Sequence, residues 1–388
     1  MKQFNNILLL LFIFFLPTQL GKHFFFDFSY LSGVRVDYLA PTLYLTDIIF
    51  FVLLIINYKI VFNVIKKNKF IFFLALLLIN LFTSQSRIIS LYQSVRLIEL
   101  VCLFFIIKKN ALPSKNVLFT VLFSGLTQLL LAIIQLINKH SVQGAFYFLG
   151  ERYFSLSTPG IAKAALSGVE FLRPYGTFSH PNSMAGFYLL LYFFVLTNKK
   201  FSKFFFLKNL FLLVATVLIF ISFSKTAIIV FIILNVPFLL LNNKRWCRPC
   251  LIARGLIYLV TGSLFLMVQT DPLTLQKRQT LLKNAFSVIR HYPVFGTGYG
   301  SYLVAQNTIV AQSFNLMNQP VHNIFLLFFA EWGLVGFGLI YLIFPWVKNI
   351  SKKNALLFLV IIITGLLDHY WLTLNQNFLL LAFVFGSL

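Results

Sequence analysis

The chain reads as an all-α, polytopic integral membrane protein of about twelve transmembrane helices, with large external loops between helices 5 and 6 and between helices 9 and 10. Three observations carry that expectation. Of the 388 residues, 59% are hydrophobic and 49 are Phe, while only 11% are charged, against roughly 25% in a soluble domain. The apolar residues gather in a dozen stretches of near-membrane length. The basic residues, 32 against 9 acidic, cluster in alternate connections between those stretches. An ordinary soluble enzyme is thereby excluded, and the wealth of aromatics excludes disorder. Three Cys are too few for a disulfide framework.

A bilayer-crossing helix needs about 20 mostly apolar residues. Such stretches occur at 5–20, 41–63, 70–84, 94–108, 116–138, 182–197, 204–222, 225–242, 252–268, 321–346, 355–367 and 372–387, the third and eleventh being short. The first resembles a signal peptide in having Lys2 ahead of an apolar run. It lacks a small-residue cleavage site and ends at Pro17-Thr18-Gln19, so it is expected to be a retained helix.

Lys2 and the groups Lys59/Lys66/Lys67/Lys69, Lys108/Lys109/Lys115, Lys199/Lys200/Lys203/Lys208, Lys244/Arg245/Arg248/Arg254 and Lys348/Lys352/Lys353 hold 19 of the 32 basic residues, with no Asp or Glu among them. By the positive-inside rule these connections are cytoplasmic, and both termini with them. The long loops at 139–181 and 269–320 are then external, within a single membrane domain spanning 1–388. Short clusters divided among loops do not suit nucleic acid. A cytoplasmic nucleotide-sugar transferase would want carboxylates to hold a metal-bound diphosphate, and the basic loops have none. An enzyme built this way works on the outer face.

Two motifs are weak. Cys247-Arg248-Pro249-Cys250 has the spacing of a zinc half-site but lacks further ligands nearby. Gly296-Thr297-Gly298-Tyr299-Gly300 has no neighbouring Lys-Ser/Thr and reads as a tight turn rather than a phosphate loop.

More informative are three segments at helix starts facing one compartment: Arg173–Asn182, Ser224–Thr226 and Gln319–Asn323. Pro181 and Pro320 suit a first helical position, and such starts aim free N–H groups and positive dipole ends outward, as an anion site requires. Arg173, Arg278 and Lys225 add full charges, Arg being able to bind two phosphate oxygens at once. Lipid headgroups offer the plainer role for any one of them. His322, at a helix start among cations, is expected as a neutral imidazole able to accept a proton. Glu331, deeper in the same span, is expected to orient a polar network, because a carboxylate within a membrane is costly unless functional or paired.

At these residues the sequence resembles the O-antigen ligase/O-antigen polymerase superfamily of bacterial envelope glycosyltransferases. The likeness rests on R-x-x-G-T-F-x-H-P-N at Arg173–Asn182, which includes His180, and on S-[RK]-x-A at Ser224–Ala227. It continues in Arg278 ahead of His291–Gly298, and in His322-Asn323 with Glu331–Gly336. The motifs occupy roughly 170–340, and Gly21–Asp47 and Asp368-His369-Tyr370 extend the likeness. The resemblance implies metal-independent, cofactor-free, inverting transfer of glycan from an undecaprenyl-diphosphate-linked donor to an acceptor glycan or glycolipid. The site would face outward from the bacterial inner membrane. It implies further that His322 activates the acceptor, that Arg173 and Arg278 hold the diphosphate, and that His180, Asn182, Asn323 and Glu331 support them. Lys225 departs from the more usual Arg and forgoes the bidentate fork. A polymerase shares the donor and differs in its acceptor. A lipid-oligosaccharide flippase would instead line a path through the midplane with ionisable residues.

Overall fold

The computed structural model describes residues 2–166, 168–241, 273–310, 318–348 and 354–388, with Gly255 and Gly262. The expected span at 252–268 (those two glycines apart), the cluster Lys244/Arg245/Arg248/Arg254, Lys352, Lys353, Asp271 and the Cys247–Cys250 pair lie outside the described residues.

Helix α1 (Lys2–Phe15) leads into a non-helical stretch holding β1 (Gly21–His23), β2 (Tyr30–Leu31), β3 (Val34–Arg35) and β4 (Thr42–Tyr44). Strand β1 pairs antiparallel with β4, and β2 with β3. Helices α2 (Leu45–Ile56), α3 (Tyr58–Ile65), α4 (Asn68–Phe82), α5 (Arg87–Lys109) and α6 (Ser114–Asn138) follow. The loop after α6 contains the hairpin of β5 (Lys163–Leu166) and β6 (Val169–Leu172). Beyond it come α7 (Pro181–Thr197), α8 (Phe205–Ile221) and α9 (Lys225–Leu241). The second long loop carries α10 (Leu273–His291) and α11 (Tyr302–Ile309). Helices α12 (Ile324–Trp332), α13 (Gly336–Lys348), α14 (Ala355–Gly365), α15 (Tyr370–Thr373) and α16 (Asn375–Gly386) complete the described chain.

The molecule is mostly helical, as expected, with three small antiparallel strand pairs among the described residues. Among the described residues, three helical runs are long and apolar enough to cross a membrane: Arg87–Lys109, Ser114–Asn138 and Ile324–Phe344. Helices α2 and α3 meet the test together but bend by 83°, so the expected span at 41–63 is broken. The bend falls at Asn57, whose side chain donates to Asn5 Oδ1 at 2.8 Å and to the carbonyl of Leu53. Asn5 donates to Asn110, and Asn110 donates back to Asn57 at 3.0 Å. This closed ring of amides ties the start of α1 to the ends of α2 and α5. Seven further apolar helices have 10–17 residues.

Helix α7 is the centre of the main core. Of its 17 residues, 15 are buried, because Phe187–Val195 is apolar on every face and a helix without a polar face must be covered all round. Phe211, Leu218 and Leu379 pack around it from α8 and α16. Large side chains such as Ile55, Phe82, Ile137 and Phe206 point outward and are exposed. Apolar surface on that scale suits a lipid surround rather than water.

Candidate active site

Helix α7 begins as its sequence dictates. Pro181 fills the first position, where no N–H is needed, and His180 caps the helix, its Nδ1 accepting from the Asn182 N–H at 3.1 Å. Arg173, arriving from β6, is held by two bonds. Its Nε donates to the carbonyl of Ser222 at 2.9 Å, three residues ahead of Lys225, and its Nη2 donates to Asn182 Oδ1 at 2.6 Å. The amide of Asn182 then donates to Asp368 Oδ2 at 3.0 Å. The other oxygen, Oδ1, lies 3.5 Å from His322 Nδ1. The His322 and His369 rings are 5.0 Å apart. A run of polar contacts therefore leads from Arg173 through Asn182 and Asp368 to His322.

His180, His322, Asp368 and His369 line one cavity of about 440 Å³. Its walls also include the β1–β4 segment at His23 and Tyr38, and Arg152 from the loop after α6. Burial pushes His180 down to about 3, helped by the charge of Arg173, which agrees with an Nδ1 that accepts rather than donates. Burial also takes His369 down to about 3, with the charge of Arg278 acting in the same direction. Burial alone would raise Asp368, but His322 beside it outweighs that and holds the carboxyl below the usual range. Burial lowers Arg173 to about 10, so it remains charged at neutral pH. His322, Asp368 and His369 offer ligand atoms within 4.8 Å of one another, near enough for a cation. The positive charge that Arg173 and Arg278 bring to the site opposes a divalent one.

The other expected residues are placed differently. Arg278, on α10, reaches Arg173 and His369 electrostatically. Lys225 opens α9. Asn323 is the cap of α12, accepting from the N–H groups of Phe325 and Leu326 at 2.9 and 3.0 Å. That cap corrects the expectation for Pro320, which precedes the helix instead of opening it. Glu331 is 5% exposed, and its carboxylate lies by the backbone N–H groups of Gly300 and Tyr302. The glycine run is indeed a turn. It is fixed to the end of α12 by Thr297 N–H to the Ala330 carbonyl and Gly298 N–H to the Glu331 carbonyl.

Two features escaped the sequence reading. Asp368 pairs with a histidine 46 positions away, which only the fold reveals, although Asp368-His369 between two apolar runs was a signal. The second is a buried network in which Arg96 Nη1 donates to Asp47 at 2.5 Å and to Glu99 at 2.6 Å, and Nη2 donates to Asn375. An Arg and a Glu three residues apart in an apolar span already announce such a pair.

Compared with known families, residues 210–341 match the model described as O-Antigen ligase. Lys225, Arg278, His322, Asn323 and Glu331 fall within that segment, whereas Arg173, His180, Asn182 and Asp368 lie outside it. No curated protein and no solved structure matches the chain.

Proposed function

Because residues 210–341 match the family model described as O-Antigen ligase, we propose that the protein is an O-antigen ligase-like glycosyltransferase of the bacterial inner membrane. It transfers glycan from an undecaprenyl-diphosphate-linked donor to an acceptor hydroxyl on the external face, with inversion and without a metal or cofactor. One observation carries the reading: a histidine next to a carboxylate, facing a cavity, with a cation at the far end of the same polar run.

In this reading Asp368 fixes the His322 tautomer at Nδ1 and leaves Nε2 as the proton acceptor. The separation of 3.5 Å is long for a hydrogen bond, and such bonds commonly tighten only when substrate arrives. The acceptor oxygen attacks the anomeric carbon as its proton passes to Nε2. The bond from that carbon to the phosphate oxygen breaks with inversion, and the lipid diphosphate leaves carrying the electron pair. Arg173, Arg278 and Lys225 offset the growing charge on the leaving group. Asn182 joins the two halves, positioning both Arg173 and Asp368.

The test is glycan transfer by purified protein in proteoliposomes supplied with a lipid-linked glycan and candidate acceptors. His322→Ala is expected to lower turnover by about 10²- to 10⁴-fold, the usual worth of a general base, while donor binding persists. Asp368→Asn should lower it less. Unchanged turnover in His322→Ala would sink the assignment, and the acceptor that gains sugar separates ligase from polymerase.

A further inference from the structure

Helices α2 and α3 part at 83°, and the amide ring of Asn5, Asn57 and Asn110 fixes that bend beside the end of α5. Helix α2 packs against α1 and α5, so a helix turned almost perpendicular to it runs across the end of that bundle. The side chains of α3 agree with such a course. On a wheel of about 100° per residue, three groups separate, each spread over about 60°. Val61 and Val64 are buried, each in a core cluster that includes residues of α5. Tyr58, Phe62 and Ile65 make a second side that is apolar yet 43–61% exposed. Lys59, Asn63 and Lys66 make a third, polar and exposed. A helix in water needs two sides. Three are needed where protein, acyl chains and water meet, which is the membrane surface.

Charge then selects the lipid. Lys67 and Lys69, just beyond α3, are exposed like Lys59 and Lys66, and Lys67 Nζ stands 5.8 Å from the centre of the Phe105 ring, near the end of α5. No Asp or Glu occurs between Asp47 and Glu99. Among the described residues no carboxylate pairs with these four lysines. Lys66 Nζ lies 4.1 Å from the centre of the Phe62 ring, which sets an ammonium at the border of the apolar and polar sides, the level of a headgroup phosphate. A neutral lipid would satisfy the apolar side alone and leave the positive charge uncompensated. We propose that α3 is an interfacial helix that binds anionic phospholipid. Tyr58, Phe62 and Ile65 enter the acyl edge of the leaflet, and Lys59, Lys66, Lys67 and Lys69 hold the headgroup phosphates. The inference does not depend on the transferase reading.

The experiment places a fluorescent reporter on the apolar side as Phe62→Trp in the full chain and reconstitutes it in phosphatidylcholine vesicles. Brominated phosphatidylglycerol or brominated phosphatidylcholine is added at equal mole fraction, and the quenching seen in wild type is subtracted. Should Phe62→Trp fail to fold, Ile65→Trp carries the reporter on the same side. Both lipids are expected to quench, with an apparent preference for phosphatidylglycerol of about fivefold, the worth of one lysine at a headgroup. Lys59→Gln/Lys66→Gln/Lys67→Gln/Lys69→Gln in the same background should bring the two lipids close to equality. Lys199→Gln/Lys203→Gln, which removes basic charge beyond α7, should leave the preference intact. Equal quenching by the two lipids in the reporter protein overturns the selection of anionic lipid. Loss of the preference in the Lys199/Lys203 variant as well would reduce it to bulk surface charge and overturn the site. No quenching by either lipid would show that α3 meets water or an acidic protein partner instead.

Discussion

His180 shows how one residue's protonation state ties the start of a helix to pH. As the cap of α7 it must present a bare Nδ1 to the Asn182 N–H, and protonation would replace an acceptor with a donor. Burial and Arg173 keep it neutral, at about 3, and burial keeps His369 at about 3 as well. Both values lie below the ordinary histidine value of about 6.5. Their stabilising contribution is therefore complete above pH 6.5 and lost as pH falls towards 3. Asp368, held below its usual range, adds its own loss only below about pH 4. The melting temperature in detergent should be flat above pH 7 and decline through pH 6 to 4. Each histidine contributes up to about 1.4 kcal/mol per pH unit. His180→Asn retains a capping oxygen that does not titrate, so its decline should be shallower by about one proton's worth. A slope identical to wild type would show that His180 is not titrating on unfolding.

Among the connecting elements, the turn at Gly296–Gly300 shows what pattern reading reaches and where it stops. Three glycines with positive φ mark a tight turn, and that was legible. Its purpose was not, because Gly298 (φ +93°) lies against Ser84, more than 200 residues away. A Cβ on Gly298 would come within 2.1 Å of the Ser84 oxygen and 2.8 Å of its Cα. Gly33 also has positive φ (+77°) but nothing within 4 Å. Gly33→Ala should therefore cost only the conformational penalty, about 1 kcal/mol. Gly298→Ala should add about 1–3 kcal/mol of overpacking, visible as a distinctly larger fall in melting temperature. Equal losses would mean that the contact with Ser84 yields freely. The same limit explains the other gaps. Apolar runs located most of the described helices, though neither α10 nor α11, and Pro181 marked the start of α7 correctly. Hydropathy carries no direction, however, so 41–63 read as one span although Asn57 turns the chain through 83°. The pairings of Arg96 with Asp47 and Asn375, and of His322 with Asp368, join residues far apart in the chain. No local pattern contains them.

For the whole molecule, the outstanding question is which end faces the cytoplasm. Helix α7 has the candidate site at its first residue and Lys199–Lys203 just past its last. At 1.5 Å per residue those two features are about 25 Å apart. The asparagine ring gathers the beginning of α1 with the ends of α2 and α5, bringing Lys2 together with Lys59, Lys108 and Lys109. Gly386 abuts Phe104 and Ile107, and Lys200 Nζ reaches the carbonyl of Ser387 at 3.4 Å. Both termini therefore lie at the basic end, opposite His322. From the positive-inside rule we propose that this end is cytoplasmic. Alkaline phosphatase, active only outside the cytoplasm, is expected to be inactive when fused after Leu388 and active when inserted after Ser157 in the loop following α6. A fluorescent protein that folds only in the cytoplasm should report the reverse. Phosphatase activity at the C-terminus would invert the molecule, placing His322 on the cytoplasmic side, where a donor already carried across the membrane could not reach it.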